Sequence, residues 1–177
     1  PIPIEGDGLD IKEELRLQYR YLDLRRERMA KIIKLRSDYS QAVRNAFHSR
    51  AFYEIETPLL TTATKEGARD FVVPSRFYPG EFFALPQSPQ QYKQLLMTAG
   101  VEKYFQLARC LRDEDLRADR GFEFTQIDVE MSFVDQNDVM ETIEAVVKEA
   151  VTAVGGKLKD QEFPVFTYQE AIEKFGA

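Results

Sequence analysis

The chain has 177 residues, enough for one domain with a sizeable core, and its composition (44% hydrophobic, 31% charged) is that of an ordinary globular protein. The formal net charge of −6 opposes contact with nucleic acid outside a local basic patch. No apolar run approaches the ~20 residues that cross a bilayer, no secretory leader pattern opens the chain, and the single cysteine cannot form an internal disulfide. We therefore expect a protein of a reducing compartment, the cytoplasm or an organellar matrix, with no membrane partner.

The N-terminal part of the chain predicts a connector followed by helix. Pro1 to Ile11 contains the prolines and glycines of an extended segment, and Glu13 to Arg50 carries apolar residues at three- and four-residue steps, as a helix with one buried stripe does. Five arginines crowd the first half of this helical region, and a solvated charged face explains them as well as a binding role does: Arg16, Arg20, Arg25, Arg26 and Arg28. Because the chain begins without methionine and stops just past a predicted helix end, we expect it to be part of a longer protein.

Residues 52–85 predict short strands separated by a polar loop. Phe52 to Leu60 has strand character, and Pro58 within it must lie at a strand edge or an interface, because proline cannot donate to a β-ladder. Thr61 to Arg69 is predicted as a polar loop, and its charged run, Thr64 to Asp70, is by itself more typical of a solvated loop than of a site. Two further short strands are joined by a Pro-Gly turn: Phe71 to Val73 and Glu81 to Leu85.

The next predicted helix has a well-marked start. Ser88 is the predicted N-cap, a proline follows it, Gln91 completes a capping box, and Gly100 ends the helix. Gln90 and Lys93 share a polar face near this start, where free N–H groups favour an anion. A lysine in the first two turns works against the helix dipole unless an anion binds nearby, so the pair indicates a binding site.

The C-terminal half predicts a hairpin and two helices. Lys103 to Leu111 alternates as a strand and is followed by a charged loop and a return strand that reaches Phe133. Asp135 caps a helix that Gly155-Gly156 closes, and a capping box that starts at Thr167 opens a last short helix. Because the strands are joined by hairpins and loops without strict strand–helix alternation, we predict an α+β fold with an antiparallel sheet flanked by helices.

The hairpin tip and its return strand form the most informative stretch of the chain. Three arginines and four acids occupy residues 112–120, and the return strand then sets four side chains on one face: Phe124, Gln126, Asp128 and Glu130. Buried carboxylates and amides cost free energy unless they are paired, so this face predicts a ligand, and the arginines predict an anionic one. In a nucleotide site Arg112 would neutralise a phosphate or carboxylate, and Phe124 would stack on a base. The alternative is a surface cluster of salt bridges whose charges satisfy one another.

These runs resemble a known family. The hairpin from Arg112 to Asp128 resembles motif 2 of the class II aminoacyl-tRNA synthetases, and Arg50 to Leu60 with the helix before it resembles their motif 1. Four runs are similar to the aspartyl-tRNA synthetases of the bacterial and organellar type: Tyr19 to Arg25, Glu66 to Asp70, Leu85 to Lys93 and Phe124 to Asp128. They occur in the family's order and cover nearly all of the chain from Leu15 onward.

The resemblance implies a domain organisation and an activity. It implies a linker from a missing anticodon-binding domain in residues 1–14 and the N-terminal half of the catalytic domain in residues 15–177, with motif 1 at about 36–60 and motif 2 at about 104–133. The implied reaction is ATP-dependent activation of L-aspartate to aspartyl-adenylate and transfer to the 3′ end of tRNA(Asp), which the motif 2 loop contacts. The enzyme would be a homodimer through motif 1, with Pro58 at the interface. ATP is a substrate, and Mg²⁺ is expected in the full enzyme with its ligands outside this chain.

The resemblance also assigns roles to individual residues. The catalytic residue is Arg112, which would hold the substrate carboxylate and the α-phosphate and stabilise charge during the displacement. Glu114 and Arg120 would contact ATP or the acceptor end of the tRNA, and Phe124 would complete the ATP site by stacking on adenine. The aspartate site would comprise Glu66, Ser88 and Gln126 at the ammonium group, Gln90 and Lys93 at the side-chain carboxylate, Arg112 at the α-carboxylate, and Asp128 behind them.

The chain departs from the family in several places. Ala51 replaces a usual glycine, and Gly121-Phe122 replaces a common Gln-Pro, which removes a glutamine expected to contact ATP. The Gly-rich motif 3 does not occur, so we expect this fragment alone to be inactive or nearly so. Two alternatives stay open: a non-catalytic synthetase-like module for regulation or dimerisation, and an ATP-dependent amide synthetase on the same fold. Whether the parent enzyme also charges tRNA(Asn) is decided partly by regions outside this chain.

Overall fold

The computed structural model describes residues 6–176, so the first five residues of the predicted connector lie outside the described part. The helices and strands of the described residues follow one another in this order: α1 (Glu13–Gln18), α2 (Arg20–Asp23), α3 (Glu27–His48), β1 (Tyr53–Glu54), β2 (Val72–Pro74), β3 (Phe82–Ala84), α4 (Gln90–Thr98), β4 (Lys103–Leu111), β5 (Glu123–Met131), α5 (Gln136–Ala153) and α6 (Tyr168–Phe175). None of the helices in this range combines the length and the hydrophobicity that a membrane crossing requires.

The described chain divides into two compact units. One comprises residues 6–43 together with residues 140–176, and the other comprises residues 44–139, so that the divisions fall within α3 and α5. Every residue predicted for the functional site lies in the second unit. The site can therefore be described within residues 44–139 alone.

The predicted long helix from Glu13 is interrupted twice in the first unit, at Tyr19 and again after Asp23, and a buried ion cluster lies at the second interruption. The chain turns after α2, and this turn brings the Arg26 Nε to 3.0 Å from Asp23 Oδ1, while Arg20 Nη1 lies 2.7 Å from Asp23 Oδ2. Arg16 approaches the same carboxylate at 3.8 Å. Asp23 and Arg26 are buried, and a buried charge requires such partners. Three of the five crowded arginines are thus structural, which the sequence pattern left undecided.

A three-stranded sheet organises the second unit, in the order β1-β4-β5. The strands β4 and β5 pair antiparallel from Lys103 opposite Met131 to Leu111 opposite Glu123, as predicted for the hairpin. β1 joins β4 in parallel, and the predicted strand from Phe52 to Leu60 is wrong beyond Glu54. Ile55 makes the last main-chain bond to β4, and the chain then leaves the sheet before Pro58, which has no N–H to continue the ladder.

The core of the second unit lies where the end of α3 meets β4. Phe47 and Phe105 are fully buried, with ring centroids 4.6 Å apart in a stacked arrangement. Phe52 packs edge-on against Phe47 with centroids 5.1 Å apart. Each such aromatic pair stabilises the fold by about 0.5–1.5 kcal/mol beyond the area that it buries. This aromatic cluster fixes β4, which carries half of the candidate site.

The predicted starts of the helices are confirmed in two of three cases. Asp135 accepts hydrogen bonds from the main-chain N–H groups of Asn137 and Asp138, and Thr167 forms the predicted capping box with Glu170. The predicted Ser88 capping box is wrong, because α4 begins later, has Pro89 as its N-cap and has no side-chain cap. The β2–β3 hairpin with its Pro-Gly turn forms as predicted.

Candidate functional site

The predicted polar face of β5 is the more buried face of the strand. Asp128 is 2% exposed and lies opposite Gln106 of β4, which is also buried. Ile127, on the other face, is 39% exposed. The described chain therefore turns carboxylates and amides inward, where each of them needs a partner.

Lys93 is the main partner of this face. Its side chain projects from α4, is 8% exposed as a residue, and places Nζ 2.9 Å from Asp128 Oδ1 and 3.3 Å from Glu130 Oε2. A third, longer hydrogen bond of 3.4 Å goes to the carbonyl of Val129. One cation thus stands between two carboxylates, and a ligand carboxylate would have to replace the longer bonds in order to reach Nζ.

Two residues of β4 behind Asp128, Tyr104 and Gln106, were missed by sequence reasoning. The hydroxyl of Tyr104 donates to Gln106 Oε1 at 2.8 Å, and the hydroxyl of Thr57 donates to the same oxygen at 3.0 Å. Burial, and then the nearby charge of Asp128, raise the pKa of the Tyr104 phenol well above its ordinary value, so it stays a neutral donor. Tyr104 and Gln106 alternate along β4 on the face that meets the polar face of β5, and this register is the signal that could have identified them.

Glu66 and Ser88, predicted from separate runs, meet in the structure. The Ser88 hydroxyl donates to Glu66 Oε2 at 2.7 Å, which explains why it does not cap α4. Gln126, the third residue predicted for the ammonium group, accepts from the Cys110 thiol through Oε1 at 3.4 Å. Gln90 begins α4 three residues before Lys93 and is half-buried on the same side of the helix.

The buried thiol of Cys110 lies on β4 opposite Phe124 of β5, and its Sγ donates to Gln126 at 3.4 Å. Burial is the largest influence and raises the pKa of the thiol. The described hydrogen bonds join Ser88 to Glu66 and Lys93 to Asp128, and the gathering of all these groups into one substrate site stays a prediction.

We predict that Cys110 resists alkylation in the folded protein. Burial hides the thiol and keeps it protonated, so iodoacetamide at about pH 8 should label it at least ~100-fold more slowly than in denaturant. Peptide mass spectrometry at Cys110 gives the rate, and labelling as fast as in the unfolded chain would contradict the burial. Because the pKa of the folded thiol is raised, its contribution to stability is complete below the pKa of the unfolded thiol and is lost as the pH rises from there through the raised pKa of the folded thiol.

Arg112 and Phe124 line a cleft at the hairpin tip. The cleft has a volume of about 430 Å³, and its lining is mainly charged: Arg112, Glu114, Asp119, Arg120, Gly121 and Phe124. The guanidinium carbon of Arg112 lies 5.1 Å from the centroid of the Phe124 ring. Among residues 6–176 no carboxylate forms an ion pair with Arg112, whereas Arg120 pairs with Glu114 at 3.7 Å. The mutual salt-bridge explanation thus fits Arg120 but not Arg112.

The remaining predicted residue lies elsewhere. Pro58 is exposed and has no described contact with the cleft or with the polar face of β5 that carries Asp128 and Glu130, which we call the carboxylate face. The exposed Leu59 and Leu60 follow it. In the described part of the chain, no group of three His, Cys, Asp or Glu side chains is placed to hold a metal ion. That the Mg²⁺ ligands of the full enzyme lie outside this chain stays a prediction.

Comparison with known proteins places this chain in a family. A family described as tRNA synthetases class II (D, K and N) matches residues 12–177. A curated relative named aspartate–tRNA ligase, from Staphylococcus carnosus (strain TM300), is 53% identical over all 177 residues, and one of the same name from Staphylococcus aureus (strain Newman) is 51% identical over the same span. Both matches include the whole of this chain, which spans only 30% of the length of each relative.

Solved structures agree on the fold. An asparaginyl-tRNA synthetase from Pyrococcus horikoshii, complexed with asparaginyl-adenylate, has a TM-score of 0.80 and 25% identity over 97% of this chain and 43% of its own. An asparaginyl-tRNA synthetase from Entamoeba histolytica has a TM-score of 0.78 and 24% identity, over 93% of this chain and 39% of its own. Both likenesses confirm the predicted antiparallel sheet with helices.

Proposed function

The chain belongs to the class II tRNA synthetases (D, K and N), and from this premise we propose that its protein activates L-aspartate with ATP and transfers the aspartyl group to tRNA(Asp). The curated relatives at 51–53% identity are named aspartate–tRNA ligases, which supports this substrate within the family. The observation that carries the choice is the buried lysine, Lys93, on the carboxylate face.

Lys93 distinguishes the three amino acids of the family. A buried ammonium group attracts the side-chain carboxylate of aspartate, gains little from the neutral amide of asparagine and repels the ammonium group of lysine. Asp128 holds Nζ at 2.9 Å and orients it, while the longer bonds to Glu130 and Val129 yield to the substrate. Gln90 stands beside Lys93 as a second donor to the same carboxylate.

The hairpin cleft is the nucleotide side of the proposed site. Arg112 bridges the α-carboxylate of aspartate and the α-phosphate of ATP, for which a guanidinium fork that no described carboxylate neutralises is suited. Phe124 stacks on adenine with the ring face that Arg112 leaves uncovered, and Glu114 and Arg120 border the nucleotide from the loop. Glu66, Ser88 and Gln126 receive the α-ammonium group.

The two steps need no protein nucleophile. An oxygen of the aspartate α-carboxylate attacks the α-phosphorus of ATP, the bond to pyrophosphate breaks, and aspartyl-adenylate forms. A hydroxyl at the tRNA 3′ end then attacks the aspartyl carbonyl carbon and loses its proton to the departing phosphate, and AMP leaves with the bonding electrons. Arg112 neutralises the charge that develops on the α-phosphate, so catalysis consists mostly of positioning and electrostatic stabilisation.

The partners follow from the same proposal. The acceptor end of the tRNA approaches the hairpin loop between β4 and β5, where Arg117 and Arg120 are exposed. The second copy of the chain covers the exposed segment that begins at Pro58, because a run of exposed leucines beside a proline suits an apolar interface.

ATP–pyrophosphate exchange by the complete protein tests the proposal. We expect exchange that depends on aspartate, with kcat/KM at least ~100-fold above the values for asparagine and lysine, because a buried charge discriminates strongly between charged and neutral ligands. The three amino acids at equal concentrations provide matched controls. Faster exchange with asparagine or lysine, or no exchange with any of them, would contradict the proposal.

A further inference from the structure

Gln87 is a buried polar residue that none of the roles above uses. It lies in the segment between β3 and α4 and is 1% exposed. A buried amide costs free energy unless it is hydrogen-bonded, so its partners indicate its task.

The oxygen and the nitrogen of the Gln87 side-chain amide both bind the same loop. Its Oε1 accepts from the main-chain N–H of Ala68 at 3.1 Å, and its Nε2 donates to the main-chain carbonyl of Ala68 at 2.9 Å. The Nε2 also donates to Asp70 Oδ1 at 2.5 Å. The exchange with Ala68 reproduces one rung of an antiparallel ladder, and three satisfied bonds fix the orientation of the amide.

Residues 66–70, which we call the Glu66 loop, are attached elsewhere only through exposed or half-buried groups among the described residues. Gly67 adopts a φ of +103°, which other residues rarely tolerate, and its surroundings are open. A second anchor joins Arg69 to Asp113: the N–H of Asp113 donates to the carbonyl of Arg69 at 3.0 Å, and the exposed Arg69 Nε lies 3.4 Å from the carbonyl and 3.6 Å from the carboxylate of Asp113. Gln87 is thus the buried side chain that ties this exposed loop to the rest of the unit.

Gln87 also stands between the two halves of the proposed site. The Glu66 loop delivers Glu66 to Ser88, the residue that follows Gln87, at 2.7 Å. On the other side, the main-chain carbonyl of Gln87 accepts from Arg112 Nε at 3.4 Å. One residue therefore touches the loop with its side chain and the arginine with its main chain.

We propose that Gln87 is a positioning residue: its side-chain amide holds the Glu66 loop at the ammonium subsite, while its carbonyl orients the guanidinium of Arg112. This inference rests on the proposed function. It separates two effects, because a substitution of the side chain releases the loop but leaves the carbonyl in place. Aspartate binding then weakens, and ATP binding is retained.

The test is Gln87→Met in the complete protein, which keeps the length of the side chain and removes its hydrogen bonds. We expect the KM for aspartate in pyrophosphate exchange to rise about 10–100-fold and the KM for ATP to stay within about threefold. Without any ligand, trypsin should cut after Lys65 and Arg69 about 10-fold faster. Gln106→Met, the same change at another buried glutamine, should leave cleavage at these two positions unchanged.

A second variant covers the case in which Gln87→Met does not fold. Asp70→Ala removes one acceptor of the Gln87 amide from the half-buried rim of the loop and should raise the KM for aspartate about 2–5-fold, with faster cleavage of the loop. Unchanged cleavage with an unchanged KM for aspartate, or equal rises in both KM values, would overturn the role of Gln87. A wild-type protein without aspartate-dependent exchange would overturn the proposed function instead, since the cleavage rates still report on the anchor.

Discussion

Lys93→Met raises the KM for aspartate by at least ~100-fold, because the substrate carboxylate loses its buried counter-charge. The same substitution leaves the neighbouring carboxylates of Asp128 and Glu130 without their shared cation. Losing one partner of a buried ion pair costs about 3–5 kcal/mol of stability. The ratio of kcat/KM for aspartate to that for asparagine falls towards one. Exchange kinetics and denaturant unfolding measure the two effects separately.

A double variant distinguishes binding from folding. Lys93→Met combined with Asp128→Asn removes the uncompensated buried carboxylate, so it recovers part of the lost stability. It does not recover aspartate binding, because the cation is still missing. If the double variant restored both, or if Lys93→Met left the preference for aspartate unchanged, the lysine would be a structural ion-pair partner only.

The hairpin shows how much of the fold is predictable from the sequence. The β4–β5 ladder pairs the two strand-like runs that flank the charged loop, and the capped starts of α5 and α6 follow from local hydrogen bonding. The break after α2 could not be predicted in this way. The buried Asp23–Arg26 pair lies at this break, and Arg26 also donates to the carbonyl of Gly6, a distant contact that helical spacing does not encode.

In the candidate site, sequence reasoning identified only residues whose charge is unusual for their position. The arginine of the hairpin tip and the lysine at a helix start stand out as charges in costly places, and the structure brings Lys93 to Asp128. Tyr104 and Gln87 did not stand out, because a tyrosine in a strand and a glutamine before a helix are ordinary. Their importance comes from partners 2 and 17–19 residues away, which only the folded chain specifies.

Arg112→Lys lowers kcat for aspartate-dependent exchange by about 100–1,000-fold, the usual cost of removing a preorganised donor from a developing negative charge. Lysine keeps the charge but loses the planar fork that can hold a carboxylate and a phosphate at once. Stability changes little, since the described hydrogen bond of the Arg112 side chain is a long one, 3.4 Å to the Gln87 carbonyl.

Arg109→Lys is the matched control for this variant, three residues earlier in the chain. Arg109 is 58% exposed in its side chain and pairs with Glu123 on the other face of the hairpin, so the same substitution there should change kcat by no more than about twofold. Equal losses in both variants would mean that the hairpin needs arginines for its own structure. A loss confined to Arg112, seen in kcat and not only in KM, assigns the guanidinium to the transition state, because only a group that binds the transition state more tightly than the bound substrates lowers kcat when it is removed.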